Sequence, residues 1–262
     1  MKNPTSHFAK IALQAAHKAG EVLRKNFGGK NKITYKGEIN LVTEIDRRSE
    51  RVIVDHLHKN FKSHAILTEE EYSLHKNSEF RWLVDPLDGT TNYAHGFPVF
   101  CVSIALMKGD ELILGVVCQP LLEELFLAEK NSGAWLNKKR IRVSNSSQLR
   151  RSLLATGFPY DIRTSRNNNL NHFKNFALRA QAVRRAGAAA LDLAYTAAGR
   201  FDGFWEFKLN PWDLAAGVLL VEEAGGKVTD YSGQPYDVFA GEILASNGKI
   251  HRQMEKVLKR KT

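Results

Sequence analysis

Asp85-Pro86-Leu87-Asp88-Gly89-Thr90-Thr91-Asn92 follows directly on the apolar run Trp82-Leu83-Val84. The run reads as a buried strand, and the acids stand where that strand ends. Two carboxylates at such a place, one at Asp85 and one at Asp88, repel each other unless a cation or a proton is shared between them. Hard oxygen ligands suit Mg²⁺, and the adjacent Gly-Thr turn offers backbone N–H groups to a phosphate. Asp-Pro and Asp-Gly are also ordinary turn formers. A plain turn does not need every fixed residue of Asp-Pro-x-Asp-Gly-Thr-x-Asn, a pattern that chance produces in such a chain on the order of a few times per million.

The segments around this stretch are short and regularly punctuated. Upstream, Phe8, Ile11, Ala12, Ala15, Ala16, Leu23 and Phe27 fall largely on one helical face. A second helix is expected to start near 43–46, where Thr-x-x-Asp resembles a capping box, and to run through Val52, Ile53 and Leu57. Extended runs at 65–68, 81–84, 99–107, 111–119 and 123–129 predict a largely antiparallel sheet. Beyond about residue 138 strands at 152–156, 201–207, 227–229 and 243–245 alternate with helices at 169–180, 186–198, 212–224 and 249–259. The expectation is two packed lobes, 1–137 and 138–262, with a ligand cleft between them.

Composition narrows the class. Of 262 residues 43% are hydrophobic and 25% charged, an ordinary globular balance. No apolar run approaches the roughly 18–20 residues that span a bilayer, and the first residues lack a signal-peptide core. A cytoplasmic, non-membrane protein is the expectation. Cys101 and Cys118, the only cysteines, sit in apolar strand-like runs and read as buried thiols. The net charge of +10 is local: residues 130–191 hold 13 Lys or Arg against the single acid Asp161. Such a stretch is a solvated face, a subunit contact, or a surface for RNA or an acidic protein.

A second motif, Trp212-Asp213-Leu214-Ala215-Ala216-Gly217, is followed by Glu223-Ala224-Gly225-Gly226. Alone, Asp213 after Pro211 reads equally well as a residue at a helix start. The two motifs in this order resemble the signatures of the inositol monophosphatase family, over essentially the whole chain. The resemblance implies a mixed α+β and α/β fold, the layered αβαβα sandwich of the inositol monophosphatase/fructose-1,6-bisphosphatase type. It also implies a homodimer and a small phosphate monoester as substrate.

The resemblance carries roles onto particular residues. Thr68-Glu69-Glu70 matches the family's Gly-Glu-Glu, with Thr68 in place of the glycine. That makes Glu69 a metal ligand, while Glu70 and Glu71 compete for the reading as a solvated acidic turn. One Mg²⁺ would be held by Glu69, Asp85 and the Leu87 carbonyl, a second by Asp85, Asp88 and Asp213, and a third near Glu69. Leu41-Val42-Thr43-x-x-Asp46 matches another segment, in which Asp46 pairs with Thr90 to orient the attacking water. Gly89 and Thr90 N–H groups would hold phosphate, and Lys36 matches a family lysine near the site. Glu206 matches a glutamate that binds substrate hydroxyls, and Arg184 a substrate contact of bacterial members. Inhibition by Li⁺ at the Asp88–Asp213 site follows from the same resemblance.

The implied chemistry is hydrolysis of inositol monophosphate or a related polyol phosphate by two-metal activation of water, without a covalent intermediate. Rival readings are a fructose 1,6-bisphosphatase, a histidinol phosphatase, or a nucleoside bisphosphate phosphatase. A further reading is a family member that also contacts RNA or the transcription machinery through the basic segment.

Overall fold

The structure is a computed structural model and describes residues 6–29, 33–35, 41–70, 73–74 and 78–260. The first part runs α1 (His7–Asn26), β1 (Ile33–Tyr35), β2 (Leu41–Thr43), α2 (Glu44–Asn60), β3 (Ala65–Thr68), β4 (Ser73–Leu74), β5 (Phe80–Asp88), α3 (Thr90–Ala94), β6 (Cys101–Lys108), β7 (Glu111–Gln119), β8 (Glu124–Glu129), β9 (Gly133–Leu136) and β10 (Lys139–Arg140). The second part runs β11 (Leu153–Thr156), α4 (Leu170–Ala177), β12 (Ala182–Arg184), α5 (Ala189–Ala197), β13 (Gly203–Phe207), α6 (Pro211–Glu223), β14 (Lys227–Thr229), β15 (Glu242–Ser246) and α7 (His251–Leu258). β1 and β2 pair antiparallel in a two-stranded sheet.

Strand alternation explains the layering. In β5, Trp82 and Val84 pack with α1 and α2, while Leu83 between them packs with α5 and α6. Its sheet has the order β10-β9-β8-β7-β6-β5-β3-β4 and is antiparallel except between β3 and β5. The second sheet has the order β12-β11-β13-β15-β14. There Ala155, Phe204 and Ala245 meet the α5–α6 layer, while Leu154, Trp205 and Leu244 meet α4 and α7 on the other face. The stack is therefore α1/α2, sheet, α5/α6, sheet, α4/α7, the αβαβα sandwich expected. In the second sheet β11 runs parallel to β12 and β13, but β15 runs antiparallel to β13 and β14. The alternating βα pattern thus covers only part of that half.

The α5–α6 layer is buried on both sides, and its small residues let elements approach closely. A Cβ on Gly217 of α6 would lie 2.4 Å from the Leu193 Cβ of α5, and one on Gly115 of β7 would lie 2.6 Å from the Ala216 carbonyl oxygen. Helix propensity favours alanine over glycine by about 1 kcal/mol, whereas overpacking a filled core costs about 1–3 kcal/mol or more. The clash wins. Gly217→Ala is expected to lower stability by roughly 1–2 kcal/mol in urea unfolding; an unchanged or raised midpoint would show that the two helices have room to spare.

Candidate active site

The end of β5 departs from regular pairing. Asp85 stands opposite Ser103 and Asp88 opposite Cys101, with a register shift between them. Pro86 has no N–H to give to the ladder, so an irregularity at this point is the expected outcome. Leu83 faces the α5–α6 layer, and by alternation so does Asp85. The irregularity returns Asp88 to the same side, where its carboxylate accepts the Ala189 N–H at 3.2 Å and the Ala190 N–H at 2.8 Å. These are the first N–H groups of α5, unsatisfied within the helix and favourable to a negative charge. Asp85 Oδ1 accepts the Leu87 N–H at 2.9 Å.

Two further acids converge on the cleft. Glu69 follows β3, the parallel neighbour of β5, and Asp213 occupies the first turn of α6. Asp213 Oδ2 accepts the Asn210 N–H at 2.7 Å, so the helix-start and cleft-lining readings of this residue hold together. Burial and the neighbouring charges of Glu69, Asp88 and Asp213 push the Asp85 carboxyl well above its usual range. Burial, Asp88 and Glu69 do the same to Asp213. Asp88 is raised to about 6 by burial, against the pull of the α5 N–H groups.

Among the described residues, neither Asp85, Asp88 nor Asp213 has an ion pair with a lysine, arginine or histidine. Nor do any three acidic, histidine or cysteine side chains there close into a finished ligand cage. Backbone donors hold the carboxylates against their mutual repulsion. An oxygen-only donor set with surplus negative charge, in which Asp85, Asp88 and Asp213 meet no cationic side chain among the described residues, fits a hard divalent cation. Glu69, Asp85, Asp88, Asp213 and the Leu87 carbonyl are the groups available to hold one.

The Thr90 hydroxyl lies 3.1 Å from Asp46 Oδ1 and 3.0 Å from the Leu87 carbonyl oxygen, at the base of this cluster. Asp46 is wholly buried in the first turn of α2. Gly89 has φ 95°, and a Cβ there would come 2.9 Å from the Val99 carbonyl oxygen, so the turn requires glycine. Across the cleft stands Glu206 of β13, buried, and raised to about 8 by burial and Asp88 against the pull of Arg185.

Arg184 is the expectation that the geometry does not meet. It ends β12, is exposed, and does not line the cleft. β12 is an edge strand, and the residue that follows it, Arg185, lines the cleft instead. Lys36 and Glu71 lie outside the described residues. Three residues at or beside the site had gone unread: Tyr160 and Lys208 line the cleft, and Asp192 is buried in α5. Among the described residues Asp192 Oδ1 has no hydrogen-bond partner, and burial with the charges of Glu206 and Asp88 raises its carboxyl strongly. Tyr160 and Lys208 follow the parallel strands β11 and β13 on their carboxyl ends, where ligands commonly bind; that signal was available in the sequence.

Raised carboxyl values have a sign. The folded chain binds protons more tightly than the unfolded one, so without a cation stability falls as pH rises above about 4. Asp85→Asn is therefore expected to raise the melting temperature at neutral pH in EDTA. In millimolar Mg²⁺ the order reverses, because cation binding stabilises only the wild type, by about 2.7 kcal/mol at a hundredfold excess over Kd. Melting curves with and without Mg²⁺ check both halves. A variant less stable than wild type in EDTA would show that the carboxylates are not under mutual strain.

Known proteins resemble this chain in sequence and in fold. A family profile described as inositol monophosphatase family matches residues 5–261. An inositol-1-monophosphatase of Synechocystis sp. is 45% identical over 95% of this chain and 87% of that protein. The Nus factor SuhB of Pseudomonas aeruginosa is 44% identical over 93% of each chain. The solved inositol monophosphatase of Anabaena (Nostoc) sp. superposes with a TM-score of 0.89 at 44% identity, covering 96% of this chain and 94% of that one. The chain belongs to the inositol monophosphatase family of phosphatases.

Proposed function

We propose that this phosphatase hydrolyses inositol monophosphate or a related small polyol phosphate monoester in the presence of Mg²⁺, with two to three ions held by Glu69, Asp85, Leu87, Asp88 and Asp213. The observation that carries this reading is the convergence of four carboxylates on one cleft beside the Thr90–Asp46 pair. When bound, the cations neutralise the phosphate and the charge that develops on the attacking and leaving oxygens.

The chain's own groups do the rest. The Thr90 hydroxyl has one proton and two acceptors within reach. Donating to Asp46, it leaves a lone pair that accepts from a water and fixes that water's direction. A proton released by the water can then pass through the Thr90 oxygen to Asp46. Gly89 and Thr90 line the cleft and supply backbone N–H groups to the phosphate oxygens. Glu206, on the opposite wall, meets the hydroxyls of the leaving group, and Asp213 stands where that group departs.

A second reading concerns the surface. Lys138, Lys139, Arg140, Arg142, Arg150 and Arg151 are all exposed, and one relative bears the name Nus factor SuhB. A salt-sensitive contact with RNA or an acidic protein of the transcription machinery suits such a face.

The test is phosphate release from inositol 1-phosphate, glycerol 2-phosphate, fructose 1,6-bisphosphate and histidinol phosphate, each with and without Mg²⁺. The first two are expected to be the best substrates. Thr90→Ala should lower kcat by roughly 100-fold or more with KM changed little, since the hydroxyl positions the nucleophile and not the substrate. Weaker binding at normal turnover would reduce Thr90 to a phosphate contact.

A further inference from the structure

The two walls of the cleft differ in chemistry. One carries the carboxylates and Thr90; the other is the segment from Gly157 to Tyr160, and Tyr160 is 58% exposed at its mouth. An uncovered aromatic ring there contributes nothing to the core, yet the segment that bears it is tied down at both ends.

At the base, the Asn169 amide donates to the Gly157 carbonyl at 2.6 Å and to Thr156 Oγ1 at 2.9 Å, while its oxygen accepts Trp205 Nε1 at 2.9 Å. A Cβ on Gly157 would lie 2.1 Å from Glu206 Oε1, so only glycine lets the backbone rest against that carboxyl. Beyond the ring, Lys208 Nζ pairs with Asp161 Oδ2 at 2.6 Å and donates to Ser165 Oγ at 3.0 Å. Lys208 has φ 60°, a left-handed conformation that costs a non-glycine residue energy and persists where the surroundings enforce it. The Asn169 hydrogen bonds, the Asp161–Lys208 ion pair and the close approach of Gly157 to Glu206 all fix one loop, and the loop's exposed product is the Tyr160 ring. The ring lines the same cleft as Glu69, Asp85, Asp88 and Asp213, beside the reacting centre.

We propose that Tyr160 is a specificity residue whose ring receives the carbon face of a cyclic polyol while Glu206 takes the hydroxyls, with the Asp161–Lys208 pair as the clasp that positions the ring. This rests on the phosphatase reading above. A cyclic polyol offers a flat C–H face to an aromatic ring and hydroxyls at its rim; an acyclic one has no such face.

The experiment compares kcat/KM for inositol 1-phosphate and glycerol 2-phosphate in wild type, Tyr160→Phe, Tyr160→Ala and Lys208→Met. Tyr160→Ala is expected to lose about three- to tenfold on the cyclic substrate, mostly in KM, and less than about twofold on the acyclic one. Tyr160→Phe, which keeps the ring, should keep the wild-type ratio between the two substrates, and Lys208→Met should shift that ratio in the direction of Tyr160→Ala. Equal losses on both substrates, or no loss on the cyclic one, would overturn the proposal. A wild type that releases phosphate from neither substrate overturns the phosphatase reading, and this proposal with it.

Discussion

Repulsion among four carboxylates is the constraint around which this structure is arranged. Glu69, Asp85, Asp88 and Asp213 come from three separate elements, and their charges act on one another across a single cleft. Nothing about such a cluster favours folding by itself. Each of Asp85, Asp88 and Asp213 is instead held by backbone N–H groups, from Leu87, Ala189, Ala190 and Asn210. Rigid donors of this kind keep the acids in place while their charge waits for a cation, which is preorganisation in its simplest electrostatic form.

The central helical layer supplies that rigidity. α5 and α6 touch both sheets, and close contacts at Gly217 and Gly115 leave them no freedom to slide. α5 presents its start to Asp88, and α6 carries Asp213 in its first turn. A single buried layer thus connects core packing to the placement of charge. The Asp46–Thr90 pair is likewise bound to the first sheet: Asp46 lies in α2, and Ser49 of the same helix donates to the Pro86 carbonyl at 2.8 Å.

Much of this was legible in the residues. The strand-end position of Asp85 and Asp88, the helix start at Asp213 and most strand boundaries followed from alternation, turn residues and the two motifs. The layered order depended on the resemblance, because alternation states that a strand has two faces but not what covers each. Arg184 fails for a local reason: it ends a three-residue edge strand, and of two adjacent arginines on an extended chain only Arg185 meets the cleft. Tyr160, Lys208 and Asp192 carry no motif of their own. Tyr160 acquires its place from its neighbour Asp161, from Asn169 further along the same segment, and from Lys208, which is distant in sequence and adjacent only in the fold.

The central claim is that these carboxylates form a divalent-cation site, and calorimetric titration of metal-stripped protein with Mg²⁺ tests it most directly. The account predicts saturable binding of at least one cation per chain by the wild type, lost or strongly weakened in Asp85→Asn and in Asp213→Asn, with both variants still folded. Absence of Mg²⁺ binding by the wild type, or binding untouched by both substitutions, would contradict it.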